Sequence, residues 1–324
     1  MVLVTGGRLP TSLDYVRYTA HYIALVGVGT AGDCMFEGFT PARIETAGAQ
    51  IQFRSGGQGP PLLLLHGYPQ THVMWHKLAP ALAQRFTVVC PDLRGYGDSS
   101  KPPAGADHAG YSKRAMAADQ SELMAKLGFS RFQVVGHDRG ARVVHRLCLD
   151  HPDRIKRAAV LDIIPTADVF ARTDKALATY YYHWFFLIQP NDLPERLIGG
   201  APDFFLDRLL GSWGGRGEVF AAEAMAEYRR CFRDPTTIHA TCEDYRAAAT
   251  IDLEHDAADA GRKVACPLLV LWGGKGVVGR LYDPLAIWRG KARAVEGAAL
   301  DCGHFLPEEA RDETLSALLR FLRS

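Results

Sequence analysis

The chain has 324 residues, 48% hydrophobic and 23% charged, the balance of an ordinary globular protein with a large core. Lys and Arg number 37 against 36 Asp and Glu, a formal net charge of +1, and this lack of a basic excess excludes nucleic acid as the main partner. The cations divide into 28 Arg and 9 Lys, so the placement of the Arg side chains, which suit bidentate anion recognition, carries information. The seven cysteines are scattered with no C-x-x-C, which argues against a disulfide framework or a cysteine zinc site and favours a reducing cytoplasm. No apolar run approaches the ~20 residues that span a bilayer, so no membrane association is expected.

Residues 1–34 do not join the pattern that follows and read as an extension or a mis-assigned start. Within them Tyr22 to Gly29 is apolar with Arg8 and Arg17 ahead, but Asp14 and the missing A-x-A site argue against a signal peptide. Met35 begins a stretch leading into Ile51-Gln52-Phe53-Arg54. Five short apolar runs then read as strands buried on both faces: Leu62 to Leu65, Phe86 to Cys90, Phe132 to Val135, Ala158 to Leu161 and Pro267 to Trp272. Helical spacing lies between them at Trp75 to Gln84, Lys113 to Leu127 and Ala141 to Asp150, and a last helix covers Asp312 to Leu322. This alternation predicts an α/β fold, a mostly parallel sheet flanked by helices. It stops between about Pro165 and Ala249, a stretch rich in aromatics (Tyr180-Tyr181-Tyr182-His183-Trp184-Phe185-Phe186) that reads as an inserted helical cap. The expected division is a core of 35–164 and 249–324 with a cap of 165–248.

The polar features fall just past the strand ends, where open α/β sheets place their sites. Gly136-His137-Asp138-Arg139-Gly140 joins a strand to a helix with glycines two before and two after Asp138, the pattern of the strained nucleophile elbow of α/β-hydrolases, here carrying a carboxylate. The bland alternative is an Asp capping an ordinary turn. His66-Gly67-Tyr68-Pro69 occupies the turn that supplies backbone N–H groups facing the nucleophile. Asp92 to Ser99 reads as a structural turn shaping the site mouth. Cys302-Gly303-His304-Phe305 places His304 where this fold has its general base. A base needs an orienting acid, yet Gly276 stands where one is usual. Asp162, ending the preceding core strand, is the remaining candidate, or else a turn residue.

These stretches, with Leu161-Asp162-Ile163-Ile164-Pro165, His183-Trp184 and Cys242-Glu243-Asp244-Tyr245-Arg246, resemble the haloacetate (fluoroacetate) dehalogenases of the α/β-hydrolase superfamily from about Met35 onward. The resemblance implies Asp138 as nucleophile, His304 as base and Asp162 as its acid. It also implies Arg139 and Arg142 on the substrate carboxylate, and His183, Trp184 and Tyr245 around the leaving halide. The family lacks the acid near Gly276 as well. It further implies a homodimer and a small haloacid as partner. No cofactor and no metal are expected.

The chemistry fits these residue types. A carboxylate nucleophile forms an ester with the sp³ carbon it attacks, and a His-activated water then hydrolyses that ester, with the N–H groups near Tyr68 and Arg139 on the oxyanion. Arg139 and Arg142 lie three apart on the first helical turn, against the macrodipole, a locally unfavourable choice that a substrate anion would offset. The alternative is that one of them pairs with Asp138 or with an acid of the cap. The runner-up reading is an epoxide hydrolase with the same Asp and His machinery and tyrosines of the cap as proton donors. A non-catalytic binding protein of the same fold is the reading from another class. Lys175 and Trp213, both in the cap, receive no role.

Overall fold

The computed structural model describes residues 24–25, 35–214 and 219–323. Among the described residues nine strands form one sheet: β1 (Ala24–Leu25), β2 (Phe39–Glu45), β3 (Gln50–Gly56), β4 (Pro61–Leu65), β5 (Thr87–Pro91), β6 (Phe132–His137), β7 (Ile155–Leu161), β8 (Leu268–Gly273) and β9 (Val295–Leu300). Their order is β1-β2-β3-β5-β4-β6-β7-β8-β9. The pairings from β1 to β5 are antiparallel, and all those from β5 through β4 to β9 are parallel. The predicted runs are the central parallel strands. Leu62, Leu63, Leu64, Leu65, Val134, Val135, Ala158, Ala159 and Val160 are fully buried, as strands covered on both faces require. The expectation for residues 1–34 lies outside the described residues, apart from β1, which pairs with β2.

The sheet also holds strands outside the five predicted runs, and the sequence of two of them shows why. β2 is a half-exposed hairpin strand interrupted by Pro41 and Arg43, and β9 is an edge strand carrying Glu296 and Gly297 with much of its length open. The single helix expected from Trp75 to Gln84 is instead a 3₁₀ turn, His72–Trp75, and a short helix, Ala79–Ala83. Pro80 explains the break: it has no N–H to donate and its ring excludes a continuous helix through the preceding turn. The helices Lys113–Lys126, Arg139–Asp150 and Arg311–Arg323 follow the expected spans within two residues at each end.

Between β7 and β8 the described residues hold helices and no strand, beginning at Thr166 and running through Pro235–Ala249 to Ile251–Ala258. The helical stretch thus continues beyond 248, and Asp252 is buried there, accepting the Lys113 backbone N–H at 2.8 Å. These helices meet the sheet at the C-terminal ends of its parallel strands, through the ring of Tyr68 after β4 and the side chain of Arg139 after β6.

Candidate active site

β6 delivers His137 and Asp138, and the helix Arg139–Asp150 begins immediately after. Asp138 has φ 47° and ψ −116°, a conformation that non-glycine residues avoid and that functional turns store. The glycines around it are forced by contact. A Cβ on Gly136 would lie 2.6 Å from the Gly140 carbonyl carbon, and one on Gly140 would lie 2.3 Å from the His66 carbonyl oxygen. The sharp turn orients the Asp138 carboxylate so that Tyr68 N–H donates to its Oδ1 at 2.9 Å. No hydrogen bond from the Arg139 N–H to Asp138 is present among the described residues. Burial opposes ionisation of Asp138, but His304, Arg142 and Arg139 around it hold the carboxyl below the usual carboxylate range.

His304 faces Asp138 across a gap of 4.0 Å from Nε2 to Oδ2, too long for a hydrogen bond, which leaves Nε2 free to take a proton. Its Nδ1 donates to Asp162 Oδ2 at 2.6 Å, and Asp162 Oδ1 accepts the Gly273 N–H at 2.8 Å. Burial disfavours the imidazolium, yet the bond to Asp162 and its charge outweigh burial and raise the His304 pKa above 6.5. A Cβ on Gly276 would lie 3.6 Å from Asp162 Oδ2. The two strand ends therefore converge on one point, and a second carboxylate at 276 would collide electrostatically with Asp162. This is why glycine at 276 accompanies aspartate at 162.

His137, given no role in the sequence, braces His304. Its ring lies 4.5 Å from that of His304 and its Nε2–H donates to the His304 carbonyl at 2.8 Å. Burial pushes its pKa down to about 3, so it stays neutral. The Asp92 turn is structural, as expected. Asp92 Oδ1 accepts the His72 N–H at 2.8 Å, Oδ2 accepts the Asp98 N–H at 3.0 Å, and His66 Nε2 accepts the Leu93 N–H at 3.0 Å.

Both guanidiniums are buried beside Asp138, but they are not equally free. Arg139 donates from Nε to Asp244 Oδ2 at 3.0 Å and from Nη2 to Asp244 Oδ1 at 2.5 Å and to its backbone oxygen at 2.8 Å. The alternative of an acid from the cap is thus realised for Arg139, and only its Nη1 is left without a partner among the described residues. Arg142 donates from Nη1 to Ile164 O at 2.9 Å and to Thr166 Oγ1 at 3.2 Å, and its Nε has no partner. The Tyr245 ring lies 4.2 Å from the Arg139 guanidinium and the Trp184 ring 4.6 Å from that of Arg142.

His183 and Trp184 come from the helix Tyr182–Phe186 and Tyr245 from Pro235–Ala249, and all three are buried. The Tyr245 ring lies 5.6 Å from His183 and 5.7 Å from Trp184. Burial pushes the His183 pKa down to about 3, and its Nδ1 has no partner among the described residues. A cavity of about 100 Å³ is lined by Asp138, Asp162, His183, Trp184 and His304 among others, and Tyr245, Arg139 and Arg142 are not among its lining residues. Trp213 also lines it. The indole lies 4.4 Å from the His183 ring, and the Trp213 carbonyl accepts the His304 N–H at 3.0 Å. Lys175 is exposed and does not line this cavity. Among the described residues Asp192, Glu195 and His239 could gather on a cation, but they lie on the cap surface and Glu195 is already paired with Arg246 at 2.6 Å.

The strand order and the strained turn define the class, an α/β-hydrolase, and the sequence profile described as alpha/beta hydrolase fold matches residues 60–310. The chain is 49% identical over 289 residues to a fluoroacetate dehalogenase of Burkholderia sp., spanning 89% of this chain and 95% of that one. It is 36% identical to a soluble epoxide hydrolase of Corynebacterium sp., over 85% of this chain and 94% of the other. A solved Pseudomonas aeruginosa structure, a point mutant with bound MFA provisionally assigned as an epoxide hydrolase, is 49% identical and superposes with a TM-score of 0.85, covering 90% of this chain and 98% of that one. This chain is a hydrolase belonging to the fluoroacetate dehalogenase family of the α/β-hydrolases. No helix among the described residues is long and apolar enough to cross a membrane.

Proposed function

We propose that the protein hydrolyses haloacetates to glycolate and halide. Asp138 Oδ2, free of the Tyr68 bond, attacks the α-carbon, the carbon–halogen bond breaks and halide leaves. Fluoride is a strongly hydrated, poor leaving group, and the neutral His183 N–H, the Trp184 indole N–H and the Tyr245 O–H are the donors for it. His304 Nε2 then takes a proton from a water that attacks the ester carbonyl carbon. The Tyr68 N–H stabilises the oxyanion at Oδ1, a contribution of about 3 kcal/mol in comparable sites. Collapse breaks the Cγ–Oδ2 bond, the imidazolium, balanced meanwhile by Asp162, returns its proton to the departing glycolate oxygen, and the new Asp138 carboxyl loses its proton to solvent to restore the carboxylate. Residues 165–248 act as a cap over a core of 35–164 and 249–324. Homodimer formation belongs to the same reading, and exposed Leu197 and Phe204 on the cap offer apolar surface for it.

The observation that carries this reading is the pair of unpartnered guanidinium N–H groups, on Arg139 Nη1 and Arg142 Nε, buried next to Asp138. Buried donors of this kind call for an acceptor, and a substrate carboxylate supplies two. Epoxide opening is the second reading. It is favoured by the buried cap phenols Tyr181, which lines the cavity, and Tyr245, but a neutral epoxide leaves the guanidiniums unanswered. The test runs fluoroacetate, chloroacetate and styrene oxide in parallel. We expect halide release from the acids and little diol, and Arg142→Met should raise KM for the acids by about tenfold. Diol formation outpacing halide release would overturn the assignment.

The electrostatics of His304 set the pH behaviour. The base must be neutral to accept a proton, so steady-state turnover falls as pH drops through the raised His304 pKa. Esterification removes the Asp138 charge that contributes to this rise, so the limb shifts toward 6.5 in the intermediate. The first-turnover burst of halide needs only an anionic Asp138 and should persist at pH values where steady-state turnover is lost. A burst vanishing with the same midpoint would place His304 in the first step instead.

A further inference from the structure

Two cations sit at the first positions of helices where they oppose the macrodipole, Lys113 on Lys113–Lys126 and Arg139 on Arg139–Asp150. Both end on the same carboxylate. Lys113 Nζ bonds Asp244 Oδ1, Arg139 bonds both Asp244 oxygens, and the Tyr96 hydroxyl donates to Asp244 Oδ2 at 2.6 Å. Asp244 is 0% exposed, Arg139 0% and Lys113 3%, so nothing in this cluster is screened by water. Burial opposes the Asp244 charge, but Arg139 and Lys113 outweigh it and hold the carboxyl far below its usual range.

A guanidinium has five N–H donors in a rigid plane. Asp244 takes Nε and Nη2 through its two carboxylate oxygens and its own backbone oxygen, and the Tyr245 ring lies against the guanidinium at 4.2 Å. Rotation of the plane would break all of these bonds. The Nη1 edge is what remains, and it has no partner among the described residues. Arg139 belongs to the core, whereas Asp244 and Tyr245 belong to one cap helix, Pro235–Ala249. Without Asp244, the anions left to Arg139 include Asp138 and Asp252, both of whose carboxyls already feel its charge.

We infer that Asp244 is the positioning residue of the carboxylate subsite: from the cap it aims the Nη1 edge of Arg139 at the substrate carboxylate and keeps Arg139 off Asp138. This rests on the haloacetate reading above. Lys113 and Tyr96 act through Asp244 in the same way, so seating of the cap and readiness of the carboxylate subsite are one event.

The test compares wild type with Asp244→Asn and with the Lys113→Met/Asp244→Asn double variant, in which no uncompensated lysine is left buried. Three quantities are read: KM for chloroacetate, the inhibition constant of acetate, and the rise in Tm on adding acetate. KM and an inhibition constant do not depend on the fraction of active protein, so a merely structural role would lower Vmax and leave both unmoved. We expect both constants to rise by about tenfold or more, the loss of one charge-assisted bond, and the acetate-dependent Tm rise to shrink. Values within twofold of wild type in both variants overturn the inference whatever happens to Vmax. If neither variant folds, Tyr96→Phe removes one bond to Asp244 without stranding a charge. A rise of about two- to threefold in both constants supports the inference, and no change overturns it. Wild-type protein that releases no halide from chloroacetate would refute the haloacetate reading separately, while the acetate Tm shift would still report on Asp244.

Discussion

Asp138→Asn should lower steady-state halide release by at least about 10⁴-fold while leaving the fold intact. An amide oxygen is too weak a nucleophile to displace fluoride or chloride from carbon. The variant should fold because asparagine is nearly isosteric with the aspartate that already holds φ 47° and ψ −116° at this turn. Its amide oxygen can still accept the Tyr68 N–H that Asp138 Oδ1 accepts now. A fluoride electrode reads the loss and circular dichroism reads the fold. Activity within tenfold of wild type, in protein free of deamidated material, would remove Asp138 from the first step.

His304→Asn has a different signature, because in the proposed mechanism His304 acts only after halide has gone. The variant should release about one equivalent of halide per site and then stop. The protein should gain the mass of one carboxymethyl group, located on the peptide that carries Asp138. Steady-state turnover should fall by about 10³-fold or more. The gap of 4.0 Å between His304 Nε2 and Asp138 Oδ2 supports this separation of steps, since His304 makes no bond to the nucleophile that its loss would disturb. A variant that neither bursts nor carries an adduct would mean that halide displacement itself needs His304, and the two-step account would fall.

The residues readable in advance share one property: each stands at a strand end inside a local pattern whose steric purpose is visible in the letters. Asp138 is framed by Gly136 and Gly140, which the turn cannot do without, and His304 follows Gly303 just before the last helical stretch. Asp162 stands out because no acid stands at 276, where a Cβ would lie 3.6 Å from the Asp162 carboxylate. Trp213, His137 and Asp244 had no such frame. Trp213 lies at the end of the cap helix Pro202–Trp213, and only the docking of that helix sets its indole against His183 and its carbonyl on the His304 N–H. A partial signal for Asp244 lies in the cations at two helix starts, Lys113 and Arg139, but no spacing connects 113, 139 and 244.

The linear sequence by itself determined the class of fold and the parallel core strands, and it singled out Asp138, Asp162 and His304 at the strand ends. Those follow from short-range physics: burial on both faces makes a strand a continuous apolar run, and a strained turn must be bracketed by glycine. The tertiary structure alone decided how each polar side chain is spent. Arg139 and Arg142 look alike three residues apart, yet Arg139 gives all but one edge of its guanidinium to the cap carboxylate Asp244, while Arg142 is anchored by Ile164 and Thr166 at the end of the sheet. A buried hydrogen bond is a property of two positions brought together by the fold, so its partner cannot be read from either position alone.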